Sequence, residues 1–310
     1  MSVVEIENLS KDYELGFWRK RKVRALDKLS LTVEQGEIFG FLGANGAGKT
    51  TTLKLLMRLT FPTEGRARIL GSDIGNVSMH QRIGYLPENP YFYDYLTARE
   101  FLEYCAELFG QPAAVRRKRA EDLLQRVHLD EKQWNTQLRK FSKGMLQRVG
   151  LAQALINDPE VVFLDEPMSG LDPIGRREVR DLIASLRQSG KTVFMCSHIL
   201  SDIEVLCDRV AILKKGKLAH SGRLHDLRSL AGKANNVEII ATGTDVPSLT
   251  KELPNNSVFV VTETADGIRI EVPEETNVDA VIAALRKVNG RLVAVQAVKQ
   301  SLEELFVDDL

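Results

Sequence analysis

A glycine-rich segment between two regular patterns constrains the fold of this chain more than any other feature. Glu37–Leu42 is a short, mainly apolar run typical of a buried strand, and Thr51–Leu59 repeats apolar residues at helical spacing. Between them, Gly43–Thr50 carries three glycines followed by a lysine and a threonine. Glycines let a backbone wrap closely around an anion, and the start of a helix points partial positive charge at it. The order strand, loop, helix therefore predicts an α/β fold with a phosphate-binding loop, in which Lys49 reaches the β- and γ-phosphates and the Thr50 hydroxyl ligates Mg²⁺.

A second strand pattern ends in two acidic residues. Val161–Leu164 is continuously apolar, as expected for a strand of a buried parallel sheet, and Asp165 and Glu166 follow it directly. Ligands of open α/β sheets bind at the carboxyl ends of the strands, where these carboxylates would emerge. Asp165 suits the coordination shell of Mg²⁺, and Glu166 suits a general base that polarises an attacking water.

Three further segments distinguish this chain from other phosphate-loop proteins. Ser142-Lys143-Gly144-Met145, followed by Gln147-Arg148, starts a helical pattern ahead of the acidic pair, and Ser169–Asp172 and Ser197-His198 come after that pair. With these segments in this order, residues 1–225 resemble the nucleotide-binding subunit of ATP-binding cassette (ABC) transporters. The resemblance implies a P-loop NTPase core with a helical subdomain at about residues 89–159, ATP hydrolysis, and ATP and Mg²⁺ as cofactors.

The resemblance also implies a role for each matching residue. Tyr13 would stack on adenine, Asp172 would communicate across a dimer, and His198 would contact the γ-phosphate beside the general base Glu166. Residues 142–145 match the signature segment, which caps the γ-phosphate of a nucleotide on the opposite subunit; a hydroxyl, a glycine N–H and a helix start all favour an anion there. The positions expected to contact nucleotide are Tyr13, Gly43, Asn45, Gly46, Gly48, Lys49, Thr50, Thr51, Ser142, Gly144 and Asp172. The positions expected at the metal are Thr50, Glu88 and Asp165.

Two positions depart from the family's usual residues. The signature reads Ser-Lys-Gly-Met where Ser-Gly-Gly-Gln is common, but Ser142 and Gly144 are kept, so we expect function to survive. Glu88 stands where the family usually has glutamine, in a loop that links the metal and water site to the helical subdomain. Two unit charges about 4 Å apart interact by roughly 4 kcal/mol at an effective dielectric constant of about 20. Attraction of Glu88 to Mg²⁺ and its repulsion from phosphate partly cancel, so the sequence leaves the sign of the net effect open.

Two segments allow more than one interpretation. The aromatic run Tyr91-Phe92-Tyr93-Asp94-Tyr95 is either a core cluster or an exposed groove for a partner helix. The basic run Arg19–Arg24 is either a solvated hairpin tip between strands Ser2–Leu9 and Ala25–Val33 or a contact for anionic headgroups. Arg116–Arg119 is expected to form the solvated face of a helix, and Thr97 with Glu100 is a capping-box pattern.

The last part of the chain differs from the rest in charge. Residues 231–310 carry 7 basic and 13 acidic residues, although the whole chain has 42 of each. We therefore expect a boundary near residue 231, with an ABC ATP-binding domain at 1–230 and an accessory or regulatory domain at 231–310. The periodicities after it predict a ferredoxin-like βαββαβ order: strand 237–242, helix 246–252, strands 257–262 and 268–272, helix 277–289, strand 291–298, and a last amphipathic turn at 301–306.

Composition limits the functional classes. The chain is 44% hydrophobic and 27% charged with zero formal net charge, as in an ordinary globular protein, and it has no apolar run of the ~18–20 residues that span a bilayer. Its start lacks the pattern of a secretory signal, and its three cysteines fit reduced cytosolic thiols. We expect a cytoplasmic ATPase, peripheral on the inner face of the cell membrane, that sandwiches ATP as a homodimer and drives separate integral membrane permease subunits, with export favoured over uptake. The alternative is a soluble ABC-type ATPase of DNA repair or translation, but the chain lacks a second cassette and its acidic tail argues against a nucleic acid partner.

Overall fold

The computed structural model describes residues 1–16, 21–231, 237–253, 260–264, 267–272 and 278–297. The chain divides into two compact units, Met1–Leu224 and His225–Leu310. A helix begins at Leu224 and ends at Ala231. The change in charge that predicted a boundary near residue 231 therefore lies at the end of this helix, a few residues after the division between the units.

The first unit is an α/β structure. Its strands are β1 (Ser2–Leu15), β2 (Arg21–Glu34), β3 (Ile38–Leu42), β4 (Glu64–Ile69), β5 (Ser72–Asp73), β6 (Ile83–Leu86), β7 (Val161–Asp165), β8 (Thr192–Ser197), β9 (Arg209–Lys214) and β10 (Lys217–Arg223). Its helices are α1 (Lys49–Leu56), α2 (Ala98–Leu108), α3 (Ala113–Arg126), α4 (Lys143–Ala154), α5 (Pro173–Gln188) and α6 (Leu200–Leu206), and α7 (Leu224–Ala231) begins at its last residue.

The central sheet brings the carboxyl ends of three buried strands to one edge. Its order is β10-β9-β3-β8-β7-β6, in which β10 pairs antiparallel with β9 and the other pairs are parallel. Every residue of β3, β7 and β8 is buried, and the ring of Phe194 lies 5.4–5.6 Å from the rings of Phe39, Phe41 and Phe163. The glycine-rich loop, the acidic pair and Ser197-His198 therefore leave neighbouring strands at the same edge, as parallel strands require.

A four-stranded antiparallel sheet of order β2-β1-β4-β5 shares a hydrophobic core with α1 and the central sheet. Strands β1 and β2 extend beyond the predicted Ser2–Leu9 and Ala25–Val33, and Arg24 in the added part of β2 contacts Asp12 of β1 at 2.7 Å and Asp27 of its own strand at 3.0 Å. The basic run is thus partly neutralised at Arg24, whereas Arg19 and Lys20 lie outside the described residues.

Helices α2, α3 and α4 form the predicted helical region, with its capping box confirmed. The Thr97 side chain accepts from the backbone N–H of Glu100, and the Glu100 side chain accepts from the backbone N–H of Thr97. The expectation that Arg119 is merely solvated is wrong: its guanidinium donates to the carbonyls of Leu155 (2.7 Å) and Ile156 (3.2 Å). Carbonyls at the end of a helix lack intrahelical N–H donors, and the Arg119 guanidinium provides such donors just after the end of α4.

Close packing fixes α4 against the central sheet. A Cβ at Gly84 of β6 would collide with the carbonyl oxygen of Ala154, and one at Gly150 would lie 2.7 Å from a methyl of Leu86. The helix buries Val149 and Ala152 as predicted, but Met145 in its first turn is only half-buried. The helix that starts at the signature thus lies directly on the strand that leads to Glu88.

The second unit contains strands and helices in the order β-α-β-β-α-β after α7. They are β11 (Val237–Thr242), α8 (Val246–Glu252), β12 (Val260–Thr264), β13 (Gly267–Val272), α9 (Val278–Lys287) and β14 (Arg291–Ala297). The strands form an antiparallel sheet of order β12-β13-β11-β14, and apolar residues of β11 and β13 share a buried core with α8 and α9. The strand predicted at 257–262 lies at Val260–Thr264, and the turn predicted at 301–306 lies outside the described residues.

Candidate active site

The glycine-rich loop turns into α1 at a residue that only glycine suits. Gly48 has φ +111° and precedes the helix, and a Cβ there would sit 2.7 Å from the carbonyl oxygen of Ala25. The helix begins at Lys49, before the predicted Thr51, because this left-handed residue directs the chain into the helix at once. It ends at Leu56, before the predicted Leu59. The first N–H groups of α1 consequently face the space above the loop without helical partners.

Lys49 lies folded over the loop. Its side chain is largely buried, and its ammonium donates to the carbonyls of Gly43 (2.6 Å) and Ala44 (3.3 Å). A positive charge therefore stands at the centre of the concave loop. Gly43 contributes its carbonyl oxygen, which accepts from Lys49, and it is not among the residues that line the pocket described next.

A pocket of about 250 Å³ lies beside the loop and joins most of the predicted site residues. Its walls are formed by Ala25, Asn45, Gly46, Gly48, Lys49, Thr50, Thr51, Glu88, Asp165 and Glu166. Ala25 was not predicted, since an alanine in a strand carries no signal of ligand contact. The three carboxylates come from β7 and from the loop after β6, two neighbouring strands of the sheet.

Asp165 is a fully buried carboxylate with one oxygen unpaired. Oδ2 accepts a hydrogen bond from the Thr50 hydroxyl at 2.9 Å, whereas Oδ1 has no partner among the described residues. Burial raises the pKa of Asp165 to about 6, and the nearby charges of Glu88 and Glu166 act in the same direction. A cation at this point would relieve both the desolvation and the repulsion between the carboxylates.

Glu166 occupies a strained backbone conformation that turns its side chain away from the strand. Its φ is +50°, its N–H donates to the carbonyl of Cys196 at 3.0 Å, and its Oε1 lies 2.8 Å from Nδ1 of His198. Non-glycine residues in the left-handed region cost on the order of 1–3 kcal/mol, so the surroundings must enforce this one. Glu166 also borders a second cavity of about 170 Å³, whose walls include His198, Arg176 and the buried Asp202, neither of the last two predicted from the sequence.

Six predicted residues lie outside the walls of the first pocket: Gly43 and His198, described above, and Tyr13, Ser142, Gly144 and Asp172. Ser142 caps α4 by accepting from the N–H of Met145 at 3.2 Å, with Gly144 in the first turn of that helix, and Asp172 caps α5 by accepting from the N–H of Gly175 at 2.8 Å. Tyr13 is half-buried on β1, with the Lys11 ammonium 5.0 Å from its ring centroid. The single chain therefore assembles the phosphate and acidic part of the predicted site, but not its signature or its adenine contact.

The aromatic run divides between core and surface. Phe92 is buried in an edge contact with Phe101 at 5.2 Å, whereas Tyr91, Tyr93 and Tyr95 are exposed by 88%, 42% and 61%. Tyr93 contacts Tyr104 edge-on at 5.7 Å. The core interpretation holds for Phe92, and the three tyrosines form an exposed aromatic patch on the helical region.

Known proteins resemble this chain over most of its length. A family model described as ABC transporter matches residues 26–169. An ABC transporter ATP-binding protein of Nostoc sp. is 48% identical over 310 residues, which span 100% of this chain and 90% of the relative. The bacitracin transport ATP-binding protein BcrA of Enterococcus faecalis is 36% identical over 240 residues, 76% of this chain and 74% of that protein. A solved ATP-binding cassette, dimeric in a post-hydrolysis state with ADP and Pi, matches with a TM-score of 0.66 and 28% identity over 71% of this chain and 98% of its own.

Proposed function

The chain belongs to the family of ABC transporter ATP-binding proteins and is the ATP-hydrolysing subunit of such a transporter, and from that premise we propose that it hydrolyses MgATP in the pocket beside Gly43–Thr50. The observation that carries this proposal is the contact between Thr50 and Asp165, 2.9 Å long, beside the Lys49 ammonium and the start of α1. A polyphosphate needs converging N–H donors and a cation on one side and acidic ligands for its metal on the other. These groups meet in one pocket.

Lys49 binds the phosphates by exchanging partners. In the structure its ammonium is held by loop carbonyls, which are weaker partners than anionic phosphate oxygens. When ATP enters, Lys49 turns to the β- and γ-phosphates while the loop N–H groups and the α1 start hold the chain of phosphates. Asn45, Gly46 and Thr51 line the same wall and contribute backbone or hydroxyl groups.

The acidic side of the pocket fits Mg²⁺. The described residues hold no cluster of three or more His, Cys, Asp or Glu that would bind a metal by itself. Mg²⁺ is commonly bound by one or two protein ligands together with water and phosphate, and the unpaired Oδ1 of Asp165 and the Thr50 hydroxyl match that pattern. The bound ion would neutralise phosphate charge, and the exposed Glu88 lies on the same wall as a further oxygen donor.

Glu166 acts as the general base. Its carboxylate is largely buried at the wall of the pocket, and it takes a proton from the attacking water when the γ-phosphate is in place. His198 lies 2.8 Å from Oε1, so it orients the carboxylate and is near enough to the pocket to contact the γ-phosphate. The strained φ of Glu166 places the base where this contact can form.

A homodimer completes the site. Ser142, Gly144 and Asp172 stand apart from their own pocket at the starts of α4 and α5, a position that suits a nucleotide held by a second copy. The dimeric state of the solved cassette with ADP and Pi supports this arrangement. Tyr13 then stacks on the adenine ring, since none of the described residues that line the pocket is aromatic.

The transporter also requires membrane subunits. None of the helices in the described ranges is long and apolar enough to cross a membrane. We place the chain at the inner face of the cell membrane, where the exposed tyrosines near Glu88 offer a contact for an integral permease. We favour export because a small second unit follows the cassette, as in the stand-alone exporter-type cassettes that the sequence resembles. The second unit is proposed to be a ferredoxin-like accessory domain, supported by its β-α-β-β-α-β order and its antiparallel sheet.

Two substitutions in the full-length chain test the pocket. Lys49→Ala removes the charge that holds the phosphates, so binding of a fluorescent ATP analogue should fall sharply and phosphate release should vanish. Glu166→Gln keeps the size of the side chain but not the base, so binding should persist while turnover falls by about 100-fold or more. With ATP, this variant should elute from gel filtration as a dimer.

Lys54→Ala is the matched control, since Lys54 lies exposed on the same helix and should leave binding and turnover unchanged. Normal turnover in Lys49→Ala would contradict the phosphate assignment, and normal turnover in Glu166→Gln would contradict the general base. Affinity purification from detergent extracts tests the partner: an integral membrane protein should accompany the chain, whereas ribosomes or DNA would support the alternative of a soluble ATPase.

A further inference from the structure

A buried glutamine of α4 contacts the turn that carries Glu166. Gln147 is 2% exposed, and its amide nitrogen donates to the carbonyl of Glu166 at 3.2 Å and to that of Pro167 at 3.0 Å. Both protons of the amide are thus used on two consecutive peptide groups. A buried polar side chain that satisfies two buried carbonyls is costly to remove, because the carbonyls would be left without donors.

The turn needs such support because of its conformation. Glu166 has φ +50°, and it is followed by Pro167, which has no N–H to help fix the turn. The N–H of Glu166 is held by Cys196 at 3.0 Å, and its carbonyl accepts from the N–H of Ser169 at 3.0 Å as well as from Gln147. The backbone of the general base is therefore fixed on one side by β8 and on the other by α4.

Helix α4 is itself firmly attached to other helices. The next residue, Arg148, donates to the carbonyl of Val127 after α3 at 2.8 Å and pairs with Glu178 of α5 at 2.6 Å. The start of the same helix is the signature residue Ser142. The signature residue Ser142 and the amide that contacts the Glu166 turn therefore belong to one helix, whose contacts with its neighbours include those of Arg148.

We propose that Gln147 is a positioning residue for ATP hydrolysis: it holds the Glu166 turn in its left-handed conformation and so links the general base of one nucleotide site to the signature that serves the other. The proposal rests on the proposed function, in which Glu166 is the base and the signature caps the partner's nucleotide. It adds a connection within each subunit, through which engagement of the signature adjusts the geometry of that subunit's own base.

The test replaces the amide in the full-length protein without changing its size. Gln147→Met should lower kcat by about 10- to 100-fold while the Kd for ATP stays within about twofold, since the phosphate-binding groups are untouched. The Hill coefficient for ATP should fall toward one, because signature and base are no longer linked. Gln153→Met, on the same helix with a half-buried glutamine, should change neither constant.

A second background separates this role from a purely structural one. In Glu166→Gln, adding Gln147→Met should have little further effect on kcat, because both substitutions act on the same base. The proposal would be overturned if Gln147→Met lowered kcat by the same factor in the wild-type and Glu166→Gln backgrounds, or if it left kcat unchanged. It would also be overturned if ATP affinity and melting temperature fell together with kcat. Gln147→Asn, which is neutral and withdraws the amide from both carbonyls by one CH2 group, gives the same comparison if the methionine variant does not fold. Full turnover of Glu166→Gln alone would instead refute the assignment of Glu166 as the general base. The kcat of Gln147→Met would then decide by itself whether the Gln147 contacts affect turnover.

Discussion

At the scale of single residues, the pocket has an excess of negative charge. Asp165, Glu166 and Glu88 face one another across it, and Lys49 is the cation among the residues that line it. Burial is the main cause of the raised pKa of Asp165, and the negative charge of Glu88 raises that pKa further. Triphosphate would be repelled by such a pocket unless a divalent cation enters with it, so we expect metal binding and nucleotide binding to depend on each other.

Glu88→Gln should therefore change the response to Mg²⁺ more than the basal rate. The carboxylate is exposed, so its attraction to a nearby ion is reduced by water to about 1 kcal/mol per unit charge at ~4 Å. We expect the half-saturating Mg²⁺ concentration for ATPase activity to rise several-fold at saturating ATP, with kcat at excess Mg²⁺ changed less than the Mg²⁺ requirement. A Mg²⁺ titration of activity at constant ionic strength measures the shift.

Glu131→Gln controls for the loss of one charge, because Glu131 is an exposed glutamate that does not line the pocket. A titration that superimposes on that of wild type would place Glu88 away from the metal.

At the scale of the elements, a local sequence signal accounts for the start of α2 in the helical region. The capping box at Thr97 fixes the start of α2, from which Phe101 and Leu102 enter the core of the helical region. Loss of a Thr cap costs about 1 kcal/mol. Thr97→Ala should lower the free energy of unfolding by about this amount, read from the urea midpoint of the first transition, with ATP affinity unchanged.

Thr97→Ser keeps the hydroxyl and should restore the midpoint to within a few tenths of a kcal/mol of wild type. If alanine and serine behave alike, the contact with Glu100 does not stabilise α2.

The sequence predicted those elements whose signal is local and missed what depends on tertiary contacts. The strand-loop-helix order at Lys49 and the apolar strand before Asp165 are readable because periodicity and glycine spacing are properties of neighbouring residues. The cap that Arg119 provides for α4 and the two bonds of Gln147 join residues 19–37 positions apart, and no periodicity reports such contacts. The sequence therefore named glycine-rich-loop and acidic residues that line one pocket, and it missed the residues that hold them in place.

At the scale of the whole molecule, the two units differ in what they contain. Every residue that lines the pocket lies before position 167, within Met1–Leu224. The second unit has its own buried core, formed by residues such as Ile239, Ile270 and Leu285. The sequence indicated a boundary near residue 231 because the balance of charged residues changes there. The last 80 residues hold 13 acidic and 7 basic side chains, and the remainder has an excess of basic side chains.

Truncation after Ala231 should separate nucleotide binding from assembly. The shortened chain keeps α7 and all pocket residues, so it should fold and bind the fluorescent ATP analogue with a Kd within about twofold of the full-length value. It also loses the acidic part of the chain, so its net charge becomes positive and its surfaces repel one another more. We expect the ATP-dependent dimer of the Glu166→Gln form to weaken on truncation, most strongly at low salt, where charge repulsion is least screened.

Gel filtration of truncated and full-length Glu166→Gln with ATP, at low and high salt, measures that change, and circular dichroism confirms that the shortened chain is folded. Recovery of the dimer at high salt would assign the loss to charge, whereas a loss at both salt concentrations would assign it to contacts that the second unit makes. A folded truncation that no longer binds ATP would show that the second unit belongs to the nucleotide site. If binding, dimerisation and co-purification of the membrane subunit are all unchanged, the second unit has no part in assembly, and the accessory role proposed for it is wrong.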